Sequence, residues 1–482
     1  MMGVKEEQGS VDLAAGKSAT AHLHRALAAT HEMFPSVFGE VDIGSGPDEF
    51  KRRYPEILPV FEAARADAPE RADIAAALVA AGRSAIVMRA NGEEIPLRDH
   101  VTEETEPMAL ASADLRGESR LQPRLPLHGR LLAGDELVEA TRAIVERGSA
   151  SPQVADAVAS IVEQAGSEGI DLRGHRIVML GAGAELAPTR LWLEGGADVL
   201  WIDVTDPPAD LVDSDELSGS LQWVAGGVDL LARPEAIRAT IEAFAGDDEV
   251  DVGLYAYAPG QAREWRLAAA MNAIVDAIPH DMVRGVALLV SPTTCGVLTA
   301  DDLAGEERRR RERPRWHAVL DRFGLFGRGA GHARHGETCT NRGIVSIQGG
   351  SYQAAQYLGK LMAAEAWATG DPARRVSANT AGITLTESLH HPVFDTAFSG
   401  AGALAIETFD PATTAYLNGM LTLSDRLALE DPGGADPNEL FACRVHGGIY
   451  EFPHAIEPAL RVATALGVVK NPLRIAALLR GS

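Results

Sequence analysis

The sequence predicts an α/β protein built on a doubly wound parallel sheet, with a mostly helical N-terminal region and a C-terminal helical cap. Three observations carry that expectation. From residue 171 onward, short apolar runs alternate with helix-length segments: Arg176–Leu180, Asp198–Ile202, Leu221–Val224, Val250–Tyr255, Arg284–Val290 and Val376–Thr380. Strands spaced by helices are the pattern of a sheet joined by crossover connections. Aromatic residues make up only 5% of the chain, so burial rests on Ala, Val, Leu and Ile. At 482 residues the chain exceeds one ordinary domain, and length alone suggests roughly two to four.

Taken in order, residues 1–20 read as frayed. Ala21 to about Gly92 carry apolar residues at helical spacing, for instance Ala72–Ala81. Ser84–Arg89 is a strand-like run closed by an Asn91-Gly92 turn. Residues 93–127 are charged and proline-punctuated and take no assignment. Leu131–Gly148 and Pro152–Gly166 read as helices, the second opened by Ser151-Pro152 as N-cap and first-turn proline. Between the fifth and sixth strand runs, residues 300–345 are too long for a bare loop and read as an inserted hairpin, lid or oligomer contact. Pro411–Leu427 and Pro458–Leu466 are the periodic helices at the C-terminal end. The expected division is an N-terminal region 1–170, a sheet domain 171–395 with its insertion at 300–345, and a cap 396–482.

Apolar residues at 46% and charged residues at 23% fit a globular chain rather than a disordered or fibrous one. The 68 acids against 44 bases give a net charge of −24. A field of that sign repels phosphate backbones and anionic lipid headgroups, so neither nucleic acid nor a membrane is an expected partner. No apolar run is long enough to span a bilayer. Cys295, Cys339 and Cys443 are sparse and form no CxxC pair, which points to a reducing compartment. Met1–Ser10 is polar and includes Glu6 and Glu7, so no secretory signal is expected and the location reads as cytoplasmic.

Of the 14 histidines, His332 with His335, His390-His391, His446 and His454 are the candidate metal ligands; none forms a compact ligand pattern, so no metal is expected. Neither a GxSxG elbow nor a P-loop is present. The run Arg308–Arg311 reads as a solvated helix face, or as a clamp for an anionic small-molecule substrate.

The segment His175–Leu186 reads as a strand entering a glycine turn and then a helix. Gly181 permits the tight turn, and Gly183, with Ala184 and Glu185 after it, brings backbone N–H groups toward a pyrophosphate at a helix N-terminus. Leu186 stands where the fingerprint has its third small residue. A second strand then ends in Asp203, 22 residues past Gly181. A carboxylate there accepts hydrogen bonds from the adenosine ribose and repels a 2′-phosphate, favouring NAD over NADP. These features make the expected sheet Rossmann-type. The alternative is a glycine-rich turn in an α/β domain that binds no nucleotide.

Read onward, the order of elements over residues 172–390 resembles the short-chain dehydrogenase/reductase superfamily. Gly226-Gly-Val-Asp229-Leu230 is similar to the family's acid after the third strand. Val250–Gly260 is similar to its VDVLVNNAG strand, Val286–Thr294 to its IVNISS strand, Ser351–Glu365 to its catalytic-tyrosine helix, and Arg375–Thr386 to its RVNAVAPGxxxT loop. The resemblance implies cofactor contacts from Asp229, Leu230, Ala258, Gly260, Thr384 and Thr386. It also implies a homo-oligomer, and an NAD-dependent enzyme interconverting a ketone and an alcohol. Such chemistry needs a phenol to pass a proton, a lysine to lower its pKa and hold the ribose, and a hydroxyl to polarise the carbonyl. Here Ser291 or Thr293 would be the polariser, Tyr352 or Tyr357 the proton donor, and Lys360 the lysine. The position four residues after Tyr352, on the same helix face, is Gln356 instead. A helix tyrosine anchored on the sheet is the bland reading of Tyr352, and turn residues at a strand end that of Ser291 and Thr293. Two other functions fit the departures: a lyase, epimerase or dehydratase that retains a dinucleotide, or a catalytically silent nucleotide-binding scaffold.

Overall fold

The computed structural model describes residues 9–14, 18–118, 120–327, 329–371, 374–387, 392–427 and 437–471. Near the N-terminus, β1 (Ser10–Leu13), β2 (Ile86–Ala90) and β3 (Glu93–Pro96) form a small antiparallel sheet. Asn91 and Gly92 both sit at positive φ in the β2–β3 turn, as a two-residue hairpin of that twist requires. β4 (Leu110–Arg116) comes next, then a hairpin of β5 (Arg124–Leu127) and β6 (Arg130–Ala133). Residues 131–133, expected to start a helix, therefore belong to a strand, and the helix begins at Gly134.

The main sheet follows from the apolar runs. β7 (Arg176–Leu180), β8 (Asp198–Ile202), β9 (Ser218–Val224), β10 (Val250–Leu254), β11 (Val283–Val290) and β14 (Arg375–Thr380) are mutually parallel. Their lateral order is β14-β11-β10-β7-β8-β9-β4, and β4 pairs antiparallel with β9 at the edge. The insertion carries helices Ala300–Glu312 and Arg315–Arg322 and a hairpin of β12 (His332–His335) and β13 (Thr338–Asn341). Trp316, Val319, Phe323 and Leu325 of the insertion are exposed.

Strand side chains alternate between faces, so β7 sends Val178 and Leu180 into one core and Ile177 and Met179 into the other. On the first face lie helices Pro234–Ala245, Arg263–Ala277 and the run 349–370. The N-terminal helices Ala19–Met33, Pro47–Asp67 and Arg71–Arg83 join the same core through Leu23, Phe61 and Ile74. The second face is covered by helices Gly134–Glu146, Pro152–Ala165 and Pro411–Leu427, whose Leu137, Val158 and Leu421 are buried there. The described residues of 1–170 thus share both cores with the sheet, and helix Pro411–Leu427 of the expected C-terminal cap is a layer on the second sheet face.

Candidate functional site

Lateral strand order reverses between β7 and β10. In open α/β sheets the crevice outside the carboxyl ends at such a point is where ligands bind. Gly181 leaves β7 there with φ +85°, and a Cβ would run into the backbone of Ala256, which follows β10. Packing against the segment that follows β10 alone therefore demands glycine at 181. Gly183 is exposed, and its N–H donates to Asp203 Oδ2 at 2.9 Å. The expected helix does not start at this turn. It begins at Thr189 and lasts six residues, to Glu194, because Pro188 withholds an N–H and biases Ala187 toward extended backbone.

The remaining cofactor candidates divide. Glu185 is exposed and its Oε2 accepts the Glu387 N–H at 3.0 Å, tying the glycine turn to the loop after β14; Ala184 is half-buried. Asp229 is exposed and accepts the Leu231 N–H at 2.8 Å, while the Leu230 side chain lies in the core. Ala258 and Gly260 border the crevice after β10, Gly260 at φ +83° with open space around its Cα. Thr384 is buried on the Gly382 carbonyl and the Thr414 hydroxyl, so it is not free to meet a cofactor. Thr386 is half-buried in the same loop. The set suits the adenosine end of a dinucleotide at Asp203 but lacks the helix N-terminal amides that would hold a pyrophosphate.

At the carboxyl end of β11 three hydroxyls meet. Ser291 Oγ and Thr293 Oγ1 lie 2.8 Å apart, and the Tyr352 phenol faces both. Burial and the Glu264 carboxylate push the Tyr352 pKa up while the two hydroxyls pull it down, leaving it above the ordinary phenol value. Two glutamines that the sequence reading did not assign a role fix this loop. Gln356 Oε1 accepts the Ser291 N–H at 2.9 Å, and Gln353 Nε2 donates to the Thr293 carbonyl at 2.9 Å. Gln356 stands at the very position where the family pattern has lysine, which was the available signal. Tyr257 meets the Tyr352 ring edge-on at 6.3 Å.

Two expectations fail here. The Tyr357 phenol is fully buried and donates to Glu62 Oε2 at 2.8 Å, so it faces away from this cluster. Lys360 Nζ donates to the Leu289 carbonyl at 2.8 Å, and burial brings its pKa down to about 8. Residues Tyr357–Met362 form a π-helical turn, which rotates everything after Gln356 relative to Tyr352. Lysine therefore secures the end of β11 rather than partnering the phenol.

The arginine run offers no anion clamp from Arg308, Arg309 or Arg310. Arg308 pairs with Glu451 at 2.8 Å, Arg309 donates to the Ala405 and Gly148 carbonyls, and Arg310 pairs with Glu306 at 2.6 Å. Among the described residues no group of His, Cys, Asp and Glu is placed to hold a metal ion, and no helix is long and apolar enough to cross a membrane. His390 and His391 lie outside the described residues.

No protein-family model and no curated protein matches the chain. Among solved structures, the MalC reductase/Diels-Alderase from Malbranchea aurantiaca matches over 54% of this chain and 93% of its own, with a TM-score of 0.31 and 10% sequence identity. A likeness that slight transfers neither fold nor activity.

Proposed function

We propose that this chain is an NAD(H)-dependent oxidoreductase that interconverts a ketone and an alcohol on a small organic substrate, with NADP(H) disfavoured. The observation that carries the reading is the meeting of Tyr352 with Ser291 and Thr293 at the carboxyl end of a central parallel strand. The parallel strands, counted from β7, lie in the order 3-2-1-4-5-6, which supports a Rossmann-type sheet. When bound, the nicotinamide supplies hydride. The chain's own residues would do the rest: the Ser291 and Thr293 hydroxyls hydrogen-bond the substrate oxygen, and Tyr352 gives it a proton. Tyr352 is protonated at neutral pH, so it would act as the acid when the carbonyl is reduced and take the proton back when the alcohol is oxidised. Asp203 would hold the adenosine ribose and exclude a 2′-phosphate.

Thermal unfolding with NAD, NADH, NADP and NADPH tests this, beside an Asp203→Ala variant. A nucleotide at 100 times its dissociation constant adds about 2.7 kcal/mol. The expected result is stabilisation by NAD or NADH that weakens in the variant, followed by substrate-dependent absorbance change at the nicotinamide band. A second reading, a sheet that binds no dinucleotide, is favoured by the closure of Asp203 onto the Gly183 N–H. No shift with any nucleotide, and none copurifying, would leave that reading standing; bound NAD without net redox change would favour a lyase, epimerase or dehydratase.

A further inference from the structure

The insertion carries an apolar surface that the proposed reaction does not use. Helix Arg315–Arg322 turns His317 and Leu320 inward, where the His317 ring meets Phe326 edge-on at 4.4 Å and Leu320 packs on the small core beneath. Its other face is apolar as well. Trp316, Val319 and Phe323 recur at three- and four-residue spacing and so form one stripe, with Leu325 just beyond the turn at Gly324. All four are exposed, Phe323 by 76% and Val319 by 51%. A helix apolar on both sides belongs in an interior, and a patch of large apolar side chains left in the open marks a surface that something meets.

The charges around the stripe decide what it meets. Arg308, Arg310 and Arg313 are taken by Glu451, Glu306 and Asp321, and Arg309 by backbone carbonyls. Arg311, Arg315 and Arg322 are exposed and have no ion pair among the described residues. Residues 300–345 hold ten arginines against seven acids, whereas the whole chain carries −24. The insertion is therefore a basic, apolar segment on an acidic chain. A nucleic acid or an anionic bilayer is repelled by the acidic remainder, and Glu312, exposed between Arg311 and Arg315, is out of place against phosphates. A second copy of the chain presents carboxylates instead, which suit guanidinium groups. Opposite signs then meet at contact distance, while salt screens the net repulsion between the two bodies.

We propose that helix Arg315–Arg322 is a self-association surface, laid by each copy of the chain against the acidic surface of a second copy, about a two-fold axis that makes the two contacts equivalent. The apolar stripe supplies the desolvated centre, and Arg311, Arg315 and Arg322 supply the charged rim, which is the composition of a specific interface. A stable pair buries about 800 Å² on each partner. That is more than four side chains offer, so the arginine stems enter the contact with the stripe. Nothing in this contact depends on the dinucleotide reading.

Sedimentation velocity of the full chain across the micromolar range tests this, beside Phe323→Glu and a double charge reversal, Arg315→Glu with Arg322→Glu. The wild type should sediment as a dimer that dissociates as salt rises. Phe323→Glu should weaken dimerisation about thirtyfold or more, as loss of a central aromatic anchor does. The charge reversal should weaken it strongly at low salt and less at high salt. All three side chains are exposed, so both variants should unfold at the wild-type temperature, and a retained midpoint shows that dissociation is not misfolding. A wild type that stays monomeric, or a dimer that survives both variants, would overturn the assignment. So would dissociation by Phe323→Glu alone, since opposite charge would then play no part. Monomers that bind phosphatidylglycerol vesicles through Phe323 would replace the second copy with a lipid surface.

Discussion

Tyr352 and Tyr357 belong to one helical run, yet the regions they serve differ in kind. Around Tyr357 the charged groups are spent on one another. Arg65, wholly buried, donates to both oxygens of Glu62 at 2.7 Å and to both oxygens of Glu365 at 2.8 and 2.9 Å. Arg71 adds two further bonds to Glu365, and Tyr357 donates to Glu62. Around Tyr352 three hydroxyls converge in a half-open crevice with capacity left over. A buried polar network that is fully satisfied holds a fold together, whereas a cluster with unspent donors beside a cleft can do chemistry. The π-helical turn that begins at Tyr357 is what sends the two tyrosines in different directions.

The largest effect should come from breaking the closed region. Arg65→Met strands the buried Glu62 carboxylate and leaves Glu365 to Arg71 alone, and removing one partner of a buried pair costs about 3–5 kcal/mol. Denaturant unfolding should show a loss of that order. A midpoint within error of wild type would mean that Glu62 and Glu365 find water or protons, and that the region is not closed.

Lys360 sharpens the boundary between the regions. Its folded pKa is about 8 against 10.5 for an ordinary lysine. Between those values the unfolded chain carries a proton that the folded chain has released, so this group makes stability rise with pH, by at most about 1.4 kcal/mol per unit. Below pH 8 both states are protonated, and the cost of the buried ammonium is present in full and constant. The stability of wild type minus that of Lys360→Met, measured from pH 7 to 10.5, should be flat at first and then climb. A flat difference throughout would place the ammonium in contact with solvent, extending the open region down to Leu289.

What was legible in the sequence divides along the same line. Six apolar runs gave six parallel strands nearly to the residue, because a strand buried on both faces is written as a continuous apolar segment. β4 escaped notice since it is an edge strand whose only buried residue is Leu115. The glycine turn is legible, but the helix expected to follow it is held back to Thr189 by Pro188. Tyr352, Ser291 and Thr293 could be brought together because each sits at the end of a recognisable element. Glu62, Arg65 and Glu365 could not: charged residues in helices ordinarily read as surface, and nothing local to residue 62 announces a partner three hundred residues away. Lys360 and Tyr357 were misassigned for that reason, together with a change of helical pitch that no spacing argument anticipates.

Tyr357→Phe gives the next effect in size. The ring keeps its packing, but Glu62 Oε2 loses one of its donors in a fully buried site, which costs about 1–3 kcal/mol. Arg65 still holds both Glu62 oxygens, so the value belongs toward the lower end. Turnover, once a substrate is in hand, should be unchanged apart from stability.

Tyr352→Phe should have the smallest effect on stability and the most on chemistry, and this reversal is the sharpest form of the comparison. The ring and its edge contact with Tyr257 survive. The two hydroxyls left behind already hydrogen-bond one another at 2.8 Å, so neither is orphaned. Stability should therefore stay within about 0.5 kcal/mol of wild type, the range of a change away from the core. Loss of a positioned proton donor, on the other hand, costs about 10²–10⁴-fold in rate. Side-by-side denaturant curves and initial rates for Tyr352→Phe and Tyr357→Phe would read both quantities. If Tyr352→Phe lost as much stability as Tyr357→Phe and kept its rate, Tyr352 would be a second anchor, and the crevice at the end of β11 would lose its proton donor.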